Sequence, residues 1–239
     1  MREALRSSAQ GPGFHPVPQY ERTLDQELRQ FWGITYEEFI SHLVAAASPK
    51  EGDSVLDLAT GTALLPRRVS ESSDALSLVV GLDNDPAKLR TGRRLARDPV
   101  ELICGSAMKL PFASGSFDVV VCGLGPHLMD MTQLLVEAER VLKPGGKLTM
   151  SDAGLTGFWS TFLARALLRA LAVVSRWTYT GSKRTEEEER ALLNLHTVEE
   201  WRVELTKQGF GAIEIRESFT RPWSPNALTI RAIARRKER

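Results

Sequence analysis

Val55-Leu56-Asp57-Leu58-Ala59-Thr60-Gly61-Thr62-Ala63 is the stretch whose reading decides the fold. A short apolar run reaches an aspartate, breaks into small residues and resumes as a helical pattern. A buried parallel strand turns sharply into a helix in this way, leaving backbone N–H groups and a carboxylate at the strand's carboxyl end. Small side chains also let a ligand approach the backbone closely. A tight turn with no ligand produces the same pattern, so the surrounding chain has to separate the two.

Downstream, strand and helix signals alternate. Ser54–Leu58 reads as a strand and Thr62–Val69 as a helix, with Pro66 tolerable in its first turn. Leu76–Leu82 is nearly all apolar, as expected of a strand covered on both faces. Asp85 and Pro86 suit the cap and first residue of a helix running to about Arg94. Val100–Cys104 and Phe117–Cys122 read as strands, Met131–Leu142 as an amphipathic helix closed by Lys143-Pro144-Gly145-Gly146, and Lys147–Ser151 as a fifth strand. Such a series with short connections signals an open parallel sheet. Residues 210–219 and 227–234 then read as two strands joined by a Pro-containing loop, an antiparallel pair at one end of the sheet.

Upstream, residues 1–18 form a Gly- and Pro-rich arm, followed by helical patterns from Tyr20 to about Gly33 and from Tyr36 to Ala47. Residues 1–50 are therefore expected to be an arm with cap helices on a main domain over 51–239. Within that domain 156–196 stands out as an insert, because Phe158–Val174 carries more apolar surface than a solvated helix needs. It reads as a lid, a core or dimer contact, or a membrane-surface contact. Thr185-Glu186-Glu187-Glu188-Glu189 reads as a capped, solvated helix start, and Thr197-Val198-Glu199-Glu200 as a second capping box.

A chain of 239 residues can bury one sizeable α/β core, and a formal net charge of +1 gives no general attraction to nucleic acid. Cys104 and Cys122 form no CxxC and no metal-ligand spacing, so both are expected to be buried, reduced thiols in a cytoplasmic protein. The start, Met1-Arg2-Glu3-Ala4-Leu5-Arg6, does not read as a secretory signal, and no apolar run is long enough to span a bilayer.

Asp83 stands one strand–helix–strand unit after Asp57, where an acid accepts both hydroxyls of a ribose. The turn lacks GxGxxG, and Asp57 would repel a pyrophosphate. A cationic ligand end is favoured instead, which suits the ammonium and sulfonium of S-adenosylmethionine better than NAD.

The stretch from Val55 to Ala63 closely resembles the first motif of the class I S-adenosylmethionine-dependent methyltransferases, above all their ubiquinone/menaquinone C-methyltransferase-like small-molecule branch. Gly81-Leu82-Asp83-Asn84-Asp85, Gly105-Ser106-Ala107-Met108-Lys109-Leu110-Pro111-Phe112, Ser116-Phe117-Asp118-Val119-Val120 and the turn Glu139–Gly146 resemble later motifs in the same order. The resemblance implies a Rossmann-like α/β fold: a seven-stranded, mostly parallel sheet with one antiparallel C-terminal strand and helices on both faces. It implies that Asp57 and the backbone around Ala59, Thr60 and Gly61 hold the methionine end, and that Asp83 holds the ribose. Asn84 then closes over the adenine edge, Ala107 and Met108 flank the ring, and Cys122 and Gly123 face the methionine portion. Tyr20 resembles a tyrosine that lies against the cofactor in related enzymes. Ala63 replaces the motif's usual last glycine and narrows the helix entrance. Ser106 stands where an aspartate commonly accepts from the adenine amino group, which leaves a weaker contact.

His127, just after the fourth strand, is the candidate catalytic base or substrate-orienting residue, since its titration range suits proton transfer. His196 is a lesser candidate for lining the pocket, and His15 and His42 rank below it. The expected activity is methyl transfer to a small, apolar organic acceptor by a monomer or homodimer. RNA methylation, drawing on Arg67, Arg68, Arg90, Arg93, Arg94 and Arg97, and a non-catalytic partner of the same fold are the alternatives.

Overall fold

A computed structural model of the chain describes residues 18–72, 75–96, 100–161, 166, 194–221 and 225–235. The arm with His15, nearly all of the apolar stretch beyond Thr161, the acidic segment Glu186–Glu189 and Arg97 lie outside the described residues.

Among the described residues, eight strands form one sheet. They are β1 (Ser54–Leu58), β2 (Leu78–Asp83), β3 (Val100–Cys104), β4 (Phe117–Gly123), β5 (Leu142–Leu155), β6 (His196–Thr197), β7 (Phe210–Phe219) and β8 (Asn226–Ala234). The order is β3-β2-β1-β4-β5-β8-β7, with the two-residue β6 paired to β5. β8 pairs antiparallel with both β5 and β7, so it alone runs against the others. Successive strands step outward from β1 to β3 on one side and from β4 onward on the other. The β1–β4 seam is therefore the topological switch point, where a ligand crevice opens beyond the strands' carboxyl ends.

Six helices among the described residues cover the two faces: α1 (Gln19–Phe31), α2 (Tyr36–Ala47), α3 (Leu64–Ser72), α4 (Pro86–Leu95), α5 (Met131–Val141) and α6 (Val198–Lys207). Local chemistry fixes their starts. Thr35 and Glu38 make a reciprocal capping box on α2, and Thr197 and Glu200 another on α6. Asp85 caps α4 ahead of Pro86. Each such cap contributes about 1 kcal/mol.

Strand alternation sends Leu56, Leu58, Val80, Leu82, Leu148 and Met150 into one apolar layer with Leu134 of α5 and Trp201 of α6. Val55, Val79, Val119 and Val121 enter the opposite layer with Phe39 and Leu43 of α2. The nearly continuous apolar runs of β1, β2 and β4 arise because both faces are covered.

Four features differ from the sequence reading. Helix α3 starts at Leu64 rather than Thr62, because Ala63 adopts a left-handed φ of 61° that a right-handed helix cannot include. β5 is longer than expected: Leu142 already pairs with Phe117, and the register jumps to Lys147 opposite Val119, so Lys143–Gly146 bulges out of a strand rather than only closing a helix. β6 has no counterpart in the sequence pattern, being only two residues long. Cys104 is exposed, since it ends the edge strand β3; Cys122 is buried, and neither forms a disulfide.

Candidate functional site

The site is built on the carboxyl ends of β1, β2, β3 and β4. Between β1 and α3, Ala59, Gly61 and Ala63 all take left-handed φ values, 55°, 56° and 61°. The alternation coils residues 59–63 into a tight turn. The Thr60 N–H donates to the Leu82 carbonyl (3.0 Å), the Ala63 N–H to the Thr60 carbonyl (2.9 Å), and the Gly61 N–H to Asp83 Oδ2 (2.8 Å). Asp83 Oδ1 accepts the Asp85 N–H at 2.8 Å. This carboxylate thus braces the turn from β2, while each oxygen keeps a second lone pair for a ligand.

Ala63 is fully buried and packs with Leu89 and Leu102. Gly92 of α4 makes the room: a Cβ there would lie 3.0 Å from the Thr62 carbonyl and 3.2 Å from the Ala63 methyl. The methyl that replaces the usual glycine hydrogen is absorbed between α3, α4 and β3.

Asp57 is 3% exposed at the end of β1. Burial pushes its carboxyl up to about 8; the Thr60 hydroxyl opposes the shift and the Asp83 charge adds to it. No ion pair reaches Asp57 among the described residues, so a positive charge entering the crevice finds a carboxyl that ionises in response.

α1 closes the other side. Gly61 faces the Tyr20 ring so closely that a Cβ on it would lie 2.8 Å from Tyr20 Cε1. Lys88 Nζ of α4 sits 4.5 Å over the same ring. Burial, then the charges of Asp83, Glu27, Asp57 and Glu21, push the Tyr20 phenol up to about 12, so it stays protonated as a donor. Glu21 fastens the helix: its Oε1 accepts from the Thr62 hydroxyl (2.7 Å) and from Arg67 (2.9 Å).

Beyond β3, Ser106 Oγ accepts the Met108 N–H at 3.2 Å, and Lys109 N–H returns to the Ser106 carbonyl at 3.1 Å. This small turn buries Ala107 and leaves Met108 half-buried. α5 holds the loop: Gln133 donates to the Met108 carbonyl, Glu137 accepts the Leu110 N–H, and Arg140 donates to the Leu110 and Phe112 carbonyls. Asn84 is exposed at the mouth.

At the end of β4, Cys122 is fully buried, and burial, with Asp57 and Asp152 nearby, pushes its thiol up. Gly123 is half-buried beside it. The turn that follows packs onto the β1 turn: a Cβ on Gly125 would lie 3.1 Å from that of Ala59. His127 sits in the 3-10 turn Pro126–Leu128, with Nδ1 2.5 Å from Asp152 Oδ1 of β5. Burial alone would lower its ionisation range, but the charge and hydrogen bond of Asp152 outweigh it and the net shift is upward.

Tyr20, Asp57, Ala59, Thr60, Gly61, Asp83, Cys122 and Gly123 thus gather around the β1–β4 seam. Ser106, Ala107 and Met108 stand beyond β3. His196 packs edge-on to Trp201 at 5.5 Å, and His42 bonds Thr229 at 3.0 Å under α2. Sequence reasoning missed Glu21 and Asp152. The signal for Asp152 was a carboxylate two residues past Met150, on the face that Leu148 and Met150 send into the core.

The family described as a methyltransferase domain matches residues 56–150. A demethylmenaquinone methyltransferase of Corynebacterium kroppenstedtii is 36% identical over 131 residues, 54% of this chain and 55% of that one. The chain therefore spans about half the length of such a relative. Among solved structures, Haemonchus contortus phosphoethanolamine N-methyltransferase 2 in complex with S-adenosyl-L-methionine superposes with a TM-score of 0.65 at 15% identity, covering 92% of this chain and 61% of that one. The [4+2]-cyclase SpnF superposes with a TM-score of 0.63 at 17% identity, covering 86% of each chain. These two likenesses show the fold.

Proposed function

Because residues 56–150 match the family described as a methyltransferase domain, we propose that the protein transfers a methyl group from S-adenosylmethionine to a small, apolar organic acceptor. One observation carries the reading: a buried carboxyl, Asp57, with no cation paired to it among the described residues, stands at the switch point beside a turn of small residues. The donor, when bound, supplies a methyl carbon on a positively charged sulfur.

The residues fit that group. Asp57 answers its ammonium end. The turn Ala59–Gly61 allows close backbone approach, and Asp83 offers its remaining lone pairs to the ribose hydroxyls. Asn84, Ser106, Ala107 and Met108 bound the adenine side. Because Ser106 Oγ accepts from Met108, its hydroxyl proton is what it has left to offer a ring nitrogen. Tyr20 covers the turn and excludes water, and Cys122 and Gly123 floor the methionine end. His127 stands on the acceptor side as base or orienting group.

The quinone named for the Corynebacterium relative supports a small acceptor. Three of the arginines that an RNA reading would draw on are engaged within the fold: Arg67 is held by Glu21, Arg68 by Glu37 and Glu71, and Arg93 by the Leu102 carbonyl. Among the described residues, no helix is long and apolar enough to cross a membrane. The cyclase shows that this architecture also serves chemistry named otherwise, so cofactor binding is the property to measure first.

Calorimetry with S-adenosylmethionine and S-adenosylhomocysteine tests the proposal. Both are expected to bind, and Asp83→Ala is expected to weaken both at least tenfold. No heat from either ligand at about 1 mM, a free energy of only about −4 kcal/mol, would overturn it.

A further inference from the structure

The acid behind His127 is deeply buried. Asp152 is 0% exposed, and its Oδ2 has no hydrogen-bond partner among the described residues. Its Oδ1 takes both the His127 Nδ1 contact at 2.5 Å and the Ala153 N–H at 3.0 Å. Burying a carboxylate this deeply is costly unless something stabilises it. An apolar residue at this inward position would extend the row of Leu148 and Met150, so packing alone does not call for an acid.

The geometry around the histidine shows what the acid accomplishes. His127 lies in a turn whose carbonyls are held from outside: Asn194 Nδ2 donates to the His127 carbonyl at 3.1 Å and to the Met129 carbonyl at 2.7 Å. Gly125, two residues before the histidine, packs on Ala59 and Cys122 of the cofactor side. The ring is thereby fixed between the β1–β4 seam and Asp152. With Nδ1–H donated to the acid, Nε2 is the nitrogen left to accept a proton. Asp152 is the charged group that bears on the ring; Asp57 and Asp83, from β1 and β2, bear on the neighbouring Cys122 thiol.

We propose that Asp152 is a positioning residue that locks His127 with Nε2 as the proton acceptor in methyl transfer. This rests on the methyl-transfer reading above. Where the acceptor carries a hydroxyl, its proton passes to His127 Nε2, and the acceptor keeps the electron pair. The acceptor's nucleophilic atom, the oxygen itself or a conjugated ring carbon, then bonds the methyl carbon as the carbon–sulfur bond breaks onto sulfur. A ring carbon that has gained the methyl releases its own hydrogen as a proton to restore the aromatic ring. Asp152 stabilises the imidazolium that forms, and its buried charge makes that stabilisation larger than it would be in water.

Asp152→Asn tests the assignment, because an amide can donate to Nδ1 and turn the N–H to Nε2, which disables the base without removing volume. Three measurements on the 239-residue chain separate the outcomes. First, histidine-detected NMR of the protein saturated with S-adenosylhomocysteine follows the titration of His127. The midpoint is expected to fall in Asp152→Asn, and an unchanged midpoint overturns the proposal. Second, turnover of a 2-prenyl-1,4-naphthohydroquinone, held reduced, is expected to lose tenfold or more in kcat, with acceptor KM within threefold and the acidic limb of the kcat–pH profile moved to lower pH. Unchanged kcat and pH limb overturn it. Third, S-adenosylhomocysteine affinity is expected to match the wild type. Loss of ligand binding by the wild-type protein defeats the methyl-transfer reading instead. Should Asp152→Asn fail to fold, His127→Gln takes its place: it is expected to lose tenfold or more in kcat and to abolish the acidic limb, and retention of that limb overturns the proposal.

Discussion

At the residue scale, Asp57 makes the protein's energetics depend on pH in a defined direction. Its carboxyl titrates near 3.8 in the unfolded chain and at about 8 in the fold. Between those values the folded state binds the extra proton, so this group's contribution to stability is fully present below about 4 and is lost as pH rises through about 8. A cationic ligand reverses the preference by favouring the ionised form. The ligand-free protein is expected to lose stability to urea from pH 5 to pH 8, while S-adenosylhomocysteine affinity rises over the same range. Asp57→Asn is expected to flatten both trends, and a variant that keeps either slope would show that another group sets it. Ala63 illustrates how a single departure from a motif is read. Its consequence was not legible from the motif, because the compensating space is provided by Gly92, nearly thirty residues away on another helix.

At the element scale, α1 is the piece whose purpose the sequence left most open. Its helical pattern was plain in the chain, and Tyr20 was singled out, yet the residue that docks the helix is its neighbour Glu21. That carboxylate is mostly buried and holds Thr62 and Arg67, binding α1 to the first residues after the glycine turn. Removing one partner of such a pair strands the other, at a cost of about 3 kcal/mol where burial is deep and less here, where Arg67 is partly exposed. Glu21→Ala is expected to destabilise the fold by about 1–3 kcal/mol. The same change should raise amide exchange across Gln19–Phe31 and weaken S-adenosylhomocysteine several-fold as Tyr20 is released. Exchange rates in α1 equal to the wild type would show that the helix is held by its apolar face alone.

At the scale of the whole molecule, the sheet separates two tasks at the β1–β4 seam. The strands from β1 to β3 carry the Ala59–Ala63 turn, Asp83 and the Ser106–Met108 loop, while the turn after β4 and strand β5 carry the His127–Asp152 pair. Gly154 belongs to the second half, where β5 meets β8; a Cβ there would fall 2.2 Å from Leu228 Cδ1. Gly154→Ala is expected to lower stability by about 1–3 kcal/mol, the range for overpacking a core. Cofactor affinity should stay within threefold, because the first half remains intact. A thermal melt with and without S-adenosylhomocysteine checks both, and equal loss of stability and affinity would show that the halves are not separable.

The sequence by itself determined the strand and helix series from Ser54 to Cys122, the caps of α4 and α6 and the antiparallel C-terminal strand. Each of these rests on local signals: apolar runs buried on both faces, capping side chains, small residues at a strand end. Only the tertiary structure decided which partners complete those residues. Asp83 bracing Gly61, Glu21 gripping Thr62 and Arg67, Gly92 yielding to Ala63 and Asp152 orienting His127 all join residues about twenty or more positions apart. Periodicity and motif spacing carry no information about such pairs, because they come into contact only when the sheet order sets strands and helices side by side.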